Sequence, residues 1–194
     1  LGWYTAPEGG TRVYSSSSPV LQSAHTLYAQ WRANYYFATF DARGGITPVP
    51  SRTQVRYGDP YGALPTTTRT GYAFAGWWTG ISNGTQISAD TLVERTVDHT
   101  LYARWTQNIY LLTYQAEDHG SIVGTTPQTV VHGADGAPVT AVPDTGYHFT
   151  EWSDGLLSDI RQDLANTQDL TVSAGFAINQ YTLTYAADEH GTVS

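Results

Sequence analysis

The chain has 194 residues, 40% apolar and 13% charged, which is long for one minimal domain and too polar for a bilayer-spanning protein. It contains no cysteine or methionine and its nine cationic side chains are all arginine, which excludes disulfides, thiolate metal sites, thiol catalysis and lysine crosslinks. A net charge of −8, with those arginines scattered, excludes a basic patch for nucleic acid.

No apolar run reaches the roughly 20 residues of a spanning helix. No basic start leads into an apolar stretch, so any export signal or anchor is expected outside this segment, with no direct membrane insertion within it. Threonine (28) and tyrosine (14) outnumber leucine (13), and β-branched and aromatic side chains suit a pleated, half-buried surface. The expected fold class is therefore mostly β with little helix.

The first pattern along the chain is a repeat. Gly2-Trp3-Tyr4-Thr5 returns as Gly76-Trp77-Trp78-Thr79, and His25-Thr26-Leu27-Tyr28-Ala29-Gln30-Trp31 as His99-Thr100-Leu101-Tyr102-Ala103-Arg104-Trp105, both at an offset of 74. Further on, Thr70-Gly71-Tyr72-Ala73-Phe74 is echoed by Thr145-Gly146-Tyr147-His148-Phe149, and Tyr110-Leu111-Leu112-Thr113-Tyr114 by Tyr181-Thr182-Leu183-Thr184-Tyr185. The chain divides into 1–33, the C-terminal part of one unit; 34–106, a complete unit; 107–178, a complete but divergent unit; and 179–194, the N-terminal strand of another. A tandem array of units of about 72 residues, continuing beyond this segment, is the expected organisation.

Within a unit the period is two. Tyr36, Ala38 and Phe40, then Tyr110, Leu112 and Tyr114, then Tyr181, Leu183 and Tyr185 mark an opening strand with one apolar face. A turn follows at Asp41-Ala42-Arg43-Gly44-Gly45 and at Glu117-Asp118-His119-Gly120, where glycine and acidic residues tolerate positive φ. Four prolines at 48, 50, 60 and 65 leave room for a short strand near Arg52–Tyr57 but none for a long helix. Tyr72–Trp78 is the next strand, with Gly76 as a bulge that brings Trp77 onto the face of Tyr72 and Phe74. The last strand alternates inward Leu27, Ala29, Trp31; Leu101, Ala103, Trp105; and Val172, Ala174, Phe176. Only Asp154–Leu164 and Ala89–Val97 leave space for a helical turn.

The ordered motifs Thr39-Phe40-Asp41-Ala42-Arg43-Gly44-Gly45, Tyr57-Gly58, Leu64-Pro65, Thr68-Arg69-Thr70-Gly71-Tyr72-Ala73-Phe74-Ala75-Gly76-Trp77 and Thr100-Leu101-Tyr102-Ala103-Arg104-Trp105 closely resemble the internalin-type B repeat, also called the Listeria–Bacteroides repeat. Residues 107–178 resemble its divergent form through Thr126-Pro127-Gln128-Thr129-Val130, Gly146-Tyr147-His148-Phe149 and Trp152-Ser153-Asp154-Gly155. The resemblance implies small β-grasp-like modules of large bacterial secreted or cell-surface proteins, acting as stalk, spacer or adhesive segment. It carries no catalytic residues and implies no cofactor. The expected partners are neighbouring repeats of the same or identical chains, with a glycan or surface receptor as the alternative.

Sharper chemical patterns are weak. Gly80-Ile81-Ser82-Asn83-Gly84 fits the hydrolase nucleophile elbow, but no strand-to-helix context surrounds it. The histidines at 25, 99, 119, 132, 148 and 190 recur at turn or strand-start positions rather than at ligand spacing. Asp135-Gly136 and Asp154-Gly155 lack the calcium-loop ligand series and read as solvated turns. Trp3, Trp77, Trp152, Trp31 and Trp105 occupy recurring inward positions and are expected in cores. Trp78 varies to Tyr4 and Ser153 between copies, as an outward position does, so the candidate ligand contacts are Trp78 and Tyr4, exposed aromatics able to stack on a sugar ring or a partner. The half-units at the two ends add an assembly alternative, in which 179–194 of one chain completes 1–33 of another by strand addition and builds a head-to-tail fibre.

Overall fold

The computed structural model describes residues 2–16 and 24–191. Among them there are fifteen strands and no helix, so the two segments with room for a helical turn are loops and short strands. The chain falls into two compact units, Leu1–Arg69 with Phe74–Trp105, and Thr70–Ala73 with Thr106–Ser194.

The first unit opens on a small antiparallel sheet of β1 (Gly2–Tyr4), β2 (Arg12–Val13) and β3 (Tyr28–Gln30), ordered β2-β1-β3. A five-stranded sheet follows: β4 (Tyr35–Asp41), β5 (Arg52–Arg56), β6 (Tyr72–Trp78), β7 (Gln86–Ile87) and β8 (His99–Gln107), ordered β5-β4-β8-β6-β7. β4 forms a hairpin with β5 and lies parallel to β8, with Phe40 opposite Leu101. The alternation then does its work: Ala38, Phe40, Val55, Trp77, Ile87, Leu101 and Ala103 all point into one core, joined by Tyr61 and Val93 from the loops. Gly76 takes a positive φ of +103°, and past it the buried side of β6 passes from Tyr72 and Phe74 to Trp77. The buried indole donates to the Pro65 carbonyl at 2.7 Å, and Trp105 donates to that of Ala42 at 2.9 Å. Each indole N–H is thereby satisfied while its ring fills the core.

The second unit has two sheets. β9 (Ile109–Ala116), β11 (Gln128–Val131), β13 (Tyr147–Trp152) and β15 (Leu170–Ile178) are ordered β11-β9-β15-β13, with β9 parallel to β15. β10 (Gly120–Val123), β12 (Val139–Pro143) and β14 (Ile160–Arg161) form the other, ordered β10-β12-β14. Leu112, Tyr114, Trp152, Val172 and Ala174 of the first sheet share one core with Val139 and Ala141 of the second. The strand expected at Tyr181–Tyr185 is not formed, and no strand lies in residues 179–191. Its counterparts β4 and β9 are each held by an antiparallel partner and a parallel partner of their own repeat.

One core position is charged. Arg161 is only 4% exposed, and its guanidinium grips Asp163 through two hydrogen bonds at 2.8 and 2.7 Å and Asp154 through one at 2.8 Å. The Tyr114 hydroxyl donates to Asp163 at 2.8 Å, and the Trp152 ring lies 5.5 Å from the guanidinium carbon. Asp154 is thus an ion-pair partner rather than a purely solvated turn residue. Its hydrogen bond from Arg161 holds its carboxyl below the usual range. Burial, reinforced by the bond to Asp163, pushes the Tyr114 hydroxyl well above its ordinary value. For Arg161 burial opposes the charge, but the two carboxylates outweigh it and keep the guanidinium protonated.

The turn takes positive φ at Arg43, Gly44 and His119 (+49°, +87° and +74°), as expected, while the glycine that follows serves space. A Cβ on Gly45 would lie 2.5 Å from the Trp105 ring and 2.9 Å from the Thr68 carbonyl, and one on Gly120 would lie 2.3 Å from the Phe176 ring. Gly45→Ala and Gly120→Ala should therefore each destabilise their own repeat by about 1–3 kcal/mol through overpacking, read as lowered denaturant midpoints.

Arg161→Ala strands two carboxylates and should cost about 3–5 kcal/mol in the divergent repeat. The pH dependence has two limbs. Asp154, depressed when folded, contributes stability that is lost as pH falls through its folded pKa, and Tyr114, raised when folded, contributes stability that is lost as pH climbs above about 10. Thermal unfolding across pH should show both losses, and Tyr114→Phe should flatten the alkaline one.

Candidate functional site

Trp78 lies on β6 with Gln86 of β7 as its ladder partner, facing away from the Trp77 core. It is half-buried rather than open to solvent. The Arg104 guanidinium of β8 sits 3.9 Å from its ring centroid and donates to the Gly80 carbonyl at 3.3 Å. One aromatic face is therefore already occupied by a cation–π contact. A similar pair stands on the neighbouring strands, where Arg52 lies 4.4 Å from the Phe37 ring. Tyr4 occupies the equivalent place on β1, half-buried beside a shallow polar recess lined by Arg12, Gln30, Trp31 and Arg32. Trp78 and Tyr4 thus belong to separate sheets.

The other sequence patterns resolve into structural contacts. Ser82 sits in the bend between antiparallel β6 and β7, where Thr79 and Thr85 are bonded to each other, and not in a strand-to-helix elbow. His99 is 2.6 Å from the Tyr61 hydroxyl, whose pKa burial raises. His132 is 3.2 Å from the Tyr110 hydroxyl, and His148 is 2.9 Å from Asn179. His119, at φ +74°, stacks on Tyr147 at 4.1 Å. Asp135 accepts from the Ala165 amide at 2.8 Å. Among the described residues no three His, Asp or Glu side chains gather as a metal would require.

The most unusual surface is one that position-by-position comparison assigns to a core. Trp77 and Trp152 are fully buried, yet Trp3, at the same repeat position, is 56% exposed, and Trp31 is 83% exposed where Trp105 packs against the core. With Gly2, Ala29 and Gln30 they line an open, largely apolar recess. The reason lies in the partner, not the residue: nothing in the three-stranded sheet stands where β4 and β5 set Ala38, Phe40 and Val55 against Leu101 and Trp77. The signal in the sequence is that residues 1–33 align with only the C-terminal part of the complete unit.

Comparison with known proteins gives a consistent picture. Residues 1–30 and 36–104 match the model of the Listeria-Bacteroides repeat domain, and residues 110–180 that of the divergent InlB B-repeat domain. A putative Gly-rich membrane protein of Evansella cellulosilytica is 27% identical over 200 residues, which is 100% of this chain and 22% of the relative. A putative membrane protein of the same organism is 27% identical over 206 residues, 100% of this chain and 30% of the relative. Internalin H of Listeria monocytogenes is 35% identical over 107 residues, 55% of this chain and 19% of that protein. The chain therefore spans less than a third of the length of these relatives. No solved structure matches it significantly. The internal repeats, the strand-only modules and the match of both family models place the chain in the Listeria-Bacteroides repeat family, with a divergent B-repeat following the standard form.

Proposed function

We propose that the chain is a non-enzymatic structural segment of a large bacterial secreted or cell-surface protein, acting as a stalk or spacer that presents other parts of its parent. The observation that carries this reading is the pair of self-contained cores, one around Trp77 and one around Trp152, each closed by strands of its own repeat. Modules that bury their own cores can be strung in number without a shared interior. The central parallel pair flanked by antiparallel strands fits a β-grasp-like module in which loops stand in for a helix. The support for an extracellular or cell-surface setting is the membrane-protein and internalin names of the relatives. Its partners are then neighbouring repeats, and it needs no cofactor.

A carbohydrate- or receptor-binding role through exposed aromatics is the second reading. Arg104 over Trp78 weakens it, because a sugar would have to displace the guanidinium from that face.

Stretching single 194-residue chains checks the spacer role. Two main unfolding events are expected, each releasing about 200–250 Å of extended chain; a single event, or none with measurable resistance, would count against it. Trp78→Ala should lower stability by about 1–2 kcal/mol through loss of the cation–π contact and ring burial, with no change on a glycan array. Glycan capture that vanishes in this variant at unchanged stability would establish the second reading instead.

A further inference from the structure

Three times the chain sets an asparagine or aspartate directly before a glycine: Asn83-Gly84, Asp135-Gly136 and Asp154-Gly155. Such a pair can close on itself, because a following residue without a side chain lets its main-chain nitrogen reach the side-chain carbonyl carbon. Whether it closes depends on how the fold engages that nitrogen and that side chain.

Both aspartate pairs are tied down. The Gly136 amide donates to the Asp163 carbonyl at 2.8 Å, and Asp135 accepts the Ala165 amide at 2.8 Å. The Gly155 amide donates to the Trp152 carbonyl at 2.7 Å, and Asp154 is clamped by Arg161. Attack there must first break these bonds, so it waits on local opening. Asn83-Gly84 differs. Both residues are exposed in the bend that joins β6 to β7, and among the described residues neither the Asn83 side chain nor the Gly84 amide has a hydrogen-bond partner. The bonds that hold this hairpin lie just outside the pair: the Thr79 amide donates to the Thr85 carbonyl, and the Thr85 amide to the Thr79 hydroxyl, both at 3.0 Å. Gly84 sits at φ +115°, where L side chains are strained, so the bend itself requires the residue that leaves the nitrogen uncrowded.

The other asparagines are less open. Asn166 donates through its side chain to the Ala134 and Asp163 carbonyls, Asn179 is bonded to His148 and the Tyr147 carbonyl, and Asn108 reaches the Tyr110 hydroxyl. Asn34 is exposed but precedes Tyr35, whose side chain crowds its own nitrogen at the start of β4.

We propose that Asn83-Gly84 is a site of spontaneous backbone rearrangement. The Gly84 nitrogen gives its proton to hydroxide and attacks Cγ of Asn83; a new N–Cγ bond forms, the bond from Cγ to the side-chain nitrogen breaks, and that nitrogen takes a proton from water and leaves as ammonia. The cyclic imide then adds one water and opens at either carbonyl, giving aspartate on the original backbone or isoaspartate, whose main chain runs through the side-chain carbon. Amide and water have become acid and ammonia. The inference goes beyond the spacer reading and does not rest on it.

Either product adds one negative charge to a chain already at −8. Isoaspartate also lengthens the main chain between strands registered Trp78 with Gln86 and Trp77 with Ile87. Ile87 belongs to the core around Trp77, and β7 is the edge strand of its sheet, so the lengthened bend loosens β7. The divergent repeat is spared, since its short strand β14 pairs with β12 instead.

The test is to age the 194-residue chain in mildly alkaline buffer and map the products by peptide mass spectrometry. Acid is expected at position 83 several-fold faster than at positions 34, 108, 166 and 179, with isoaspartate exceeding aspartate and the rate rising with pH. Asn83→Gln should abolish it. Asp135 and Asp154 should stay free of isoaspartate in the folded chain and acquire it in denaturant. Hydrogen exchange across residues 85–87 should be several-fold faster in the isoaspartate fraction than in fresh chain, whereas Asn83→Asp, which adds the charge without the extra main-chain atom, should leave it unchanged. Position 83 remaining an amide while another asparagine converts, aspartate forming without isoaspartate, or equal exchange in the fresh and isoaspartate chains would overturn the proposal.

Discussion

The parallel pairing of a repeat's first strand with its last is the interaction on which the rest depends. It joins residues about sixty apart in sequence, Phe40 to Leu101 and Tyr114 to Val172. Parallel neighbours cannot be linked by a tight turn, so everything between them must fold as the crossover. The hairpin partner, the bulged tryptophan strand and the proline-punctuated loops are that crossover. The entropic cost of closing so long a loop precedes the contacts that offset it, which makes each repeat a unit that forms as a whole.

The two complete repeats meet the same requirement with different polar solutions. In both, a tryptophan from the penultimate long strand seals the core and its indole reaches a loop carbonyl, Pro65 for Trp77 and Ser158 for Trp152. In the standard form the short last-but-one strand pairs with the tryptophan strand and places Ile87 in the core. In the divergent form it pairs with β12 and places Arg161 there. A buried guanidinium is tolerated only when its donors are spoken for, and Asp154, Asp163 and the Tyr114 hydroxyl form that shell. Replacing an isoleucine by a charge changes what fixes the register: a directional network in place of shape alone.

Much of this architecture was legible because the repeat supplies its own control. Period-two alternation in Tyr36–Phe40 and Leu101–Trp105 reads as strand with an inward face, and Ala38, Phe40, Leu101 and Ala103 are buried accordingly. Positive φ in the turn falls at Gly44 and His119, as its glycine and short polar residues suggested, whereas at Gly45 and Gly120 an aromatic ring demands the space, which no local pattern announces. Arg161 escaped notice because a lone arginine two residues from an aspartate is ordinary on a surface, and only the fold shows that the surface is covered. Trp78 was read as open for a similar reason: its variability among copies marks an outward face, but not the cross-strand Arg104 that stacks on it.

Trp3 and Trp31 show where position-based reasoning stops. They share their places with residues that are buried elsewhere in the chain, and among the described residues their sheet holds only β1, β2 and β3. Burial is thus a property of the pair of strands, not of the tryptophan. Exposed sheet edges in soluble proteins are ordinarily blunted by charge, proline or a bulge. The β1–β3 sheet instead keeps the full set of core residues, Trp3, Leu27, Ala29 and Trp31, with Gln30 holding the 6–9 loop through three carbonyls at 2.7–3.3 Å. The same alternation that builds the Trp77 core is thus present around Trp3, and the pairing of strands, not the composition of one strand, decides which face becomes interior.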